Sequence, residues 1–239
     1  MTTILLNALS IMLVLFLALL LKKIGILHQK DGALTSKMVV YLTLPATILI
    51  GVNHTKLSNI FFILMFMGLF SNLLLVFLGK FIGRKATVEE RGLFMFDLSG
   101  YNIGNFSIPF VSSFFPAAIP FLAMFDMGNS LMVTGTTQAI VELSTGRKKH
   151  GFILQEIFGV LFRNPPFVVY IFMFILAIFG LSFPDEWLIP IRPLANANTL
   201  LSIFTIGLFM EFRLPKGKLK LVLKILTWRY LLALSLIHI

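Results

Sequence analysis

The sequence has no cysteine, ten acidic residues and four histidines in 239 positions, and each shortage removes a class of function. Without cysteine there is no disulfide framework and no thiolate zinc or redox centre. Charged residues make up 13% of the chain against 58% hydrophobic, too few polar groups to cover a soluble domain. Enzyme signatures are missing as well: there is no His-Glu-x-x-His, no Gly-x-Ser-x-Gly and no phosphate-binding glycine loop. Glu89-Glu90 begins like the Glu-Glu-x-x-x-Arg motif of membrane proteases, but Phe94 stands at the Arg position. His28, His54, His150 and His238 fall in loops or at the chain end and form no cluster. The expectation is no enzyme, no cofactor and no metal.

What the chain has instead is long apolar runs. They cover 4–21, 34–52, 60–82, 92–115, 117–141, 165–183 and 191–212, and an eighth begins near Leu219. A membrane-spanning helix needs about 20 mostly apolar residues, and most of these runs supply them. Lys22 and Lys23 follow the first run, whereas a signal peptide carries its charge in front, so an uncleaved first span is expected. The chain reads as an all-α polytopic membrane protein.

The net charge of +10 belongs to the loops rather than to a nucleic-acid surface. Lys22, Lys23, Lys30 and Lys37 flank the first connection, and Lys80, Arg84, Lys85 and Arg91 the third. Arg147, Lys148 and Lys149 mark the fifth, and Arg213, Lys216, Lys218, Lys220 and Lys224 the seventh. The second holds Lys56 alone, the fourth has no charge, and the sixth mixes Asp185, Glu186 and Arg192. Basic odd loops place them in the cytoplasm and the N-terminus outside, in a cell membrane.

Several stretches are not plain spans. Thr87-Val88-Glu89-Glu90 predicts a capping box opening the fourth helix. That helix then meets Gly100-Tyr101-Asn102-Ile103-Gly104-Asn105-Phe106-Ser107-Ile108-Pro109, which predicts an opened backbone ladder near the membrane middle. Gly100-x-x-x-Gly104 is equally a small-xxx-small packing pattern, and Pro109 alone an ordinary kink. Pro45 interrupts the second span, with Thr43 and Thr47 placed to bond the freed carbonyls. Gln155–Phe162 reads as a short interfacial helix between basic residues.

Ionisable and amide side chains inside apolar runs are the functional candidates. Asp126 has apolar neighbours and no adjacent base, so it is either a proton carrier, an orienting group for substrate amides, or a carboxyl bonded to a neighbouring helix. Asp97, two turns into the fourth helix, is read as a residue of the cytoplasmic edge. Asn102, Asn105 and Asn129 offer uncharged donors and acceptors, suited to a carboxylate that must bind and leave, or to interhelical bonding. With Gly104, Pro109, Asp126 and Thr47 they form the candidate substrate-binding set.

The sequence resembles the auxin efflux carrier family, bacterial branch. The resembling elements are Leu42-Thr43-Leu44-Pro45-Ala46, Asn102-Ile103-Gly104 with Ile108-Pro109, and Asp126-Met127-Gly128-Asn129. Arg163-Asn164-Pro165 and Ile206-Gly207 fit as well. The resemblance implies an inverted-repeat transporter of five plus five helices, of which about seven and a half are present. The fourth and ninth helices would break and cross at a proline, making Asn102 and Pro109 the first crossover, with Asp126 and Asn129 beside it. Residues 1–58 and 164–213 would be scaffold helices 1–2 and 6–7, used for homodimerisation, and 59–142 the mobile helices 3–5. Residues 143–163 would be a cytoplasmic loop and 214–233 the start of helix eight. The family's substrates are small organic anions, malate-, malonate- or auxin-like, moved by alternating access. Proton or sodium coupling is implied too, but the acidic residue of the plant carriers' third helix has only Ser71 and Asn72 to match it.

The last six residues, Leu234 to Ile239, read as a translated sequencing adapter, so the gene product is expected to continue beyond Ala233. Half a site would then transport nothing by itself. The alternative classes are a channel, which needs a continuous lined pore, and a membrane-embedded sensor or enzyme, which needs a catalytic cluster or an appended soluble domain.

Overall fold

The computed structural model describes residues 2–146, 154–212 and 217–237, and among these every regular element is helical. The loop residues Arg147, Lys148, Lys149, His150, Arg213 and Lys216 lie outside the described residues, as do His238 and Ile239. We label the helices α1 (Thr2–Lys23), α2 (Asp31–Val52), α3 (Asn59–Ile82) and α4 (Val88–Leu98). They continue as α5 (103–112), α6 (Pro116–Ser144), α7 (Leu154–Phe162), α8 (Pro165–Ile178), α9 (Arg192–Phe209) and α10 (Leu219–Ile237). The expected short helix before the sixth span is α7.

Among the described residues four stretches are long and apolar enough to cross a membrane: Ile4–Lys23, Asp31–Val52, Asn59–Lys85 and Pro116–Ser144. The other expected spans are altered for visible reasons. The fourth is divided into α4 and α5, and α8 has 14 residues. The seventh, α9, carries Asn196, Asn198, Thr199, Ser202 and Thr205, and α10 carries Lys220, Lys224 and Arg229. Large side chains of α1, such as Leu5, Met12 and Phe16, are about two-thirds exposed. Such a stripe is stable against lipid and not against water.

The chain forms two compact units. The first comprises Met1–Phe66, Asn102–Met127 and Phe162–Met210. Here α9 is the hub, with α1 and α2 packed on it and α8 packed on α2. Lys22 donates to the carbonyls of Leu208 (2.9 Å) and Met210, a cation on the negative end of α9. Thr43 donates to Asn198 Oδ1 at 2.8 Å, and Thr205 to Thr35 at 2.7 Å. Between apolar helices such bonds fix register more than they add energy, at about 0.6 kcal/mol on average. The second unit comprises Met67–Tyr101, Gly128–Leu161 and Glu211–Ile239. Its cores are Val76, Met95 and Met132, and Phe94, Leu98 and Ile225.

Candidate functional site

The fourth span opens as its sequence requires. Thr87 Oγ1 accepts from the Glu90 amide at 3.2 Å, and Glu90 Oε2 accepts from the Thr87 amide at 3.3 Å. This capping box starts α4, which stops after eleven residues. Ser99 turns extended (φ −90°, ψ 175°), Gly100 is left-handed at φ +77°, and helix resumes at Ile103. Only glycine takes that φ without a steric penalty, so Gly100 is where the chain can leave the helix. The break therefore lies at 99–102. Pro109 follows the wide turn Ile103–Ser107 that opens α5, at the point where the helix passes into ordinary α-helical turns. A wide turn joins the two, with Ser107 N donating to Asn102 O at 3.2 Å.

A broken helix exposes backbone groups that lipid cannot satisfy, so each needs a partner. In the second unit these partners are side chains. Ser99 Oγ donates to the carbonyls of Met95 (2.9 Å) and Phe96 (3.2 Å). Asn72 Oδ1 accepts from the Gly100 amide at 2.6 Å, while its Nδ2 donates to Gly68 O (2.7 Å) and Asn129 Oδ1 (3.0 Å). Asn129 brackets Tyr101: Oδ1 accepts from its amide at 3.3 Å and Nδ2 donates to its carbonyl at 2.9 Å. Arg229 of α10 donates to the carbonyls of Asp97, Ser99 (3.3 Å) and Gly100 (2.8 Å). Both asparagines are buried. Asn129 thus works as an interhelical clamp. Asp97 is one residue from the end of α4, about 14 Å along the axis from Val88, so it stands beside the break rather than at the helix's outer edge.

The first unit holds the rest of the candidate set. Asp126 is buried and accepts a hydrogen bond from Tyr170 Oη of α8 at 2.7 Å. Its carboxyl is therefore engaged by a neighbouring helix, one of the readings open to it in the sequence. A Cβ placed on Gly104 would lie 3.2 Å from Asp126 Oδ2 and 2.8 Å from Leu44 Cδ2. Gly104 thus lets the α5 backbone approach the carboxylate. Asn102 is exposed, and Asn105 Oδ1 is buried with no hydrogen-bond partner. Pro109 is buried and its carbonyl collects three hydroxyls, from Ser112 (2.8 Å), Ser113 (3.2 Å) and Thr199 (3.1 Å). Thr47 is buried and donates to Thr43 O (2.8 Å), one turn before it in the second span, and to Ala195 O (3.3 Å) of α9. A cavity of about 250 Å³ borders α5, with Asn7, Ser10, Ser113, Asn196 and Thr199 in its wall.

A membrane protein whose fourth span is broken by glycine, clamped by buried amides and resumed through asparagine and proline has the build of a helical carrier. Residues 3–151, more than half the chain, match the family described as membrane transport protein. The chain belongs to that family, the auxin efflux carriers. No curated protein matches the chain. Membership makes this an integral membrane transport protein of a family that is not enzymatic.

Three partner residues, Asn72 and Arg229 in the second unit and Tyr170 in the first, were not singled out as candidates from sequence. Asn72 is the one amide inside the apolar run of α3, and Tyr170 the one hydroxyl in α8. Either was findable as a polar group that a membrane interior must satisfy. Arg229 was hidden because Lys220 and Lys224 make the start of the eighth run look like an extension of the basic loop.

Proposed function

We propose that this family member is a secondary transporter of a small organic anion, a malate-, malonate- or auxin-like carboxylate, working by alternating access. The observation that carries the reading is the unequal use of three amides near the break. Asn129 is engaged on both oxygen and nitrogen, whereas Asn102 is exposed and Asn105 keeps an unpaired buried oxygen. An exposed neutral amide suits a carboxylate. It donates a charge-assisted bond without the deep well that a fixed cation would create, so the solute can leave.

In this reading Asn102 and Asn105 meet the substrate, and Gly104 admits it by the thinness of the backbone. Asp126 orients α5 through its bond to Tyr170, and Pro109 and Thr47 shape the second half-helix and the helix behind it. The transport cycle moves helices of 59–142 against scaffold helices of 1–58 and 164–213, which pair in a homodimer. The protein lies in the plasma membrane with its N-terminus outside, and proton or sodium flow drives net movement.

The test is uptake of radiolabelled malate, malonate and indole-acetate into proteoliposomes holding the complete gene product, with and without a proton gradient. Gradient-dependent uptake of at least one acid is expected. A folded protein that moves none of the three sinks the organic-anion reading.

A further inference from the structure

The end of α4 carries a charge problem that the chain solves with a residue from α10. Aligned peptide dipoles leave roughly half a negative charge on the last carbonyls of a helix. On a water-facing helix solvent answers it. At the break it must be answered from within. Leu98 lies ten residues from Val88, and Arg229 ten residues from Leu219, so each is about 15 Å along its helix. The hydrogen bonds between Arg229 and the last carbonyls of α4 join the two helices at the break.

Arg229 is half-buried and turns its fork onto three carbonyls in the space of four residues, those of Asp97, Ser99 and Gly100. The nearby carboxylate of Asp97 attracts it as well. A half-buried arginine in an apolar helix is costly unless it is paired, and here its partners are backbone carbonyls. Three carbonyl oxygens converging on one positive centre are also what an alkali cation seeks. A guanidinium, however, is always protonated and is tied to its helix.

We propose that Arg229 is the positioning residue of the break, a tethered cation that stands where these carbonyls would otherwise draw a metal ion from solution. While it is there, the end of α4 takes no sodium, and sodium coupling through this cluster is excluded. The residue acts on Gly100 and Tyr101 and through them on the start of α5. Only the sodium-coupling consequence rests on the transporter reading. The positioning role stands on the break itself.

The experiment is amide hydrogen exchange, followed by mass spectrometry, on the purified complete gene product in sodium and in choline buffers. Wild-type protection at Gly100 and Tyr101 is expected to be the same in both. Arg229→Ala should speed exchange at these amides at least tenfold, with the rest of α4 within twofold. Arg229→Lys should restore most of the protection, and added ethylguanidinium or sodium should restore part of it in Arg229→Ala. Arg229→Gln keeps a donor but loses the charge, so it should behave like Arg229→Ala, and it carries the test should that variant not fold. Wild-type protection that depends on sodium overturns the proposal. So does a Gln variant indistinguishable from wild type, or a loss spread evenly over α4 and α10 that lysine does not reverse. If wild-type protein moves no organic anion, the transporter reading fails while the exchange result still decides the role of Arg229.

Discussion

The second and the fourth spans both carry a proline between hydroxyl residues, yet one remains a single helix and the other is cut in two. In α2 the ladder around Pro45 is mended locally. The turn Val39–Thr43 widens, Leu44 N reaches back to Val39 O, and Thr47 bonds Thr43 O. In the fourth span Gly100 takes a left-handed φ, and Ser99 serves only the carbonyls of Met95 and Phe96 before it. From Gly100 on, repair comes from three other helices, through Asn72, Asn129 and Arg229. A proline alone bends a membrane helix. A glycine that reverses the backbone, with amides waiting on neighbouring helices, opens it. The closed interruption uses up its polar groups, and the open one leaves Asn102 and Asn105 beside it with capacity to spare.

Substitutions that abolish this difference should have graded effects. The largest is expected from Gly104→Leu, whose Cβ would press on Leu44 Cδ2 at 2.8 Å and Asp126 Oδ2 at 3.2 Å. Overpacking of this kind costs about 1–3 kcal/mol, and the displaced carboxylate adds to it, so uptake should be lost together with thermal stability. Gly100→Ala comes next. Its φ of +77° should cost about 1–2 kcal/mol, read as a lowered unfolding midpoint of the purified protein. Pro45→Ala should change the unfolding free energy by less than about 1 kcal/mol, because the wide turn Val39–Thr43 already accommodates the proline. A Pro45→Ala effect as large as that of Gly100→Ala would remove the distinction between the two spans.

Much of this was legible in the residues. Apolar runs of the right length gave the helices, and Thr87–Glu90 gave the cap of α4, because both depend on local patterns. The Gly100–Pro109 stretch gave the interruption, though not its place. The break lies at 99–102, the beginning of that stretch, because Gly100 there takes a left-handed φ, while the chain is already helical again before Pro109. The partner of each polar group was not legible. That Asn129 holds Tyr101, that Tyr170 meets Asp126 and that Arg229 reaches across from α10 are contacts between residues 28, 44 and 129 to 132 positions apart. Sequence spacing is silent on such distances.

Two asparagines of similar appearance, Asn102 in the first unit and Asn129 in the second, are assigned different work, and kinetics on both separates them directly. Uptake of the best transported acid should be measured over a range of concentrations for Asn102→Ala and Asn129→Ala in the complete gene product, beside unfolding midpoints. Losing one charge-assisted bond to substrate is worth about 1.5–3 kcal/mol, so Asn102→Ala should raise KM roughly 10- to 100-fold and leave the midpoint unchanged. Asn129→Ala should lower the midpoint and the maximal rate, because it strips the amide and carbonyl of Tyr101 of their partner. An Asn102→Ala protein with wild-type KM, or one whose only defect is stability, contradicts the assignment of the substrate to the open side of the break.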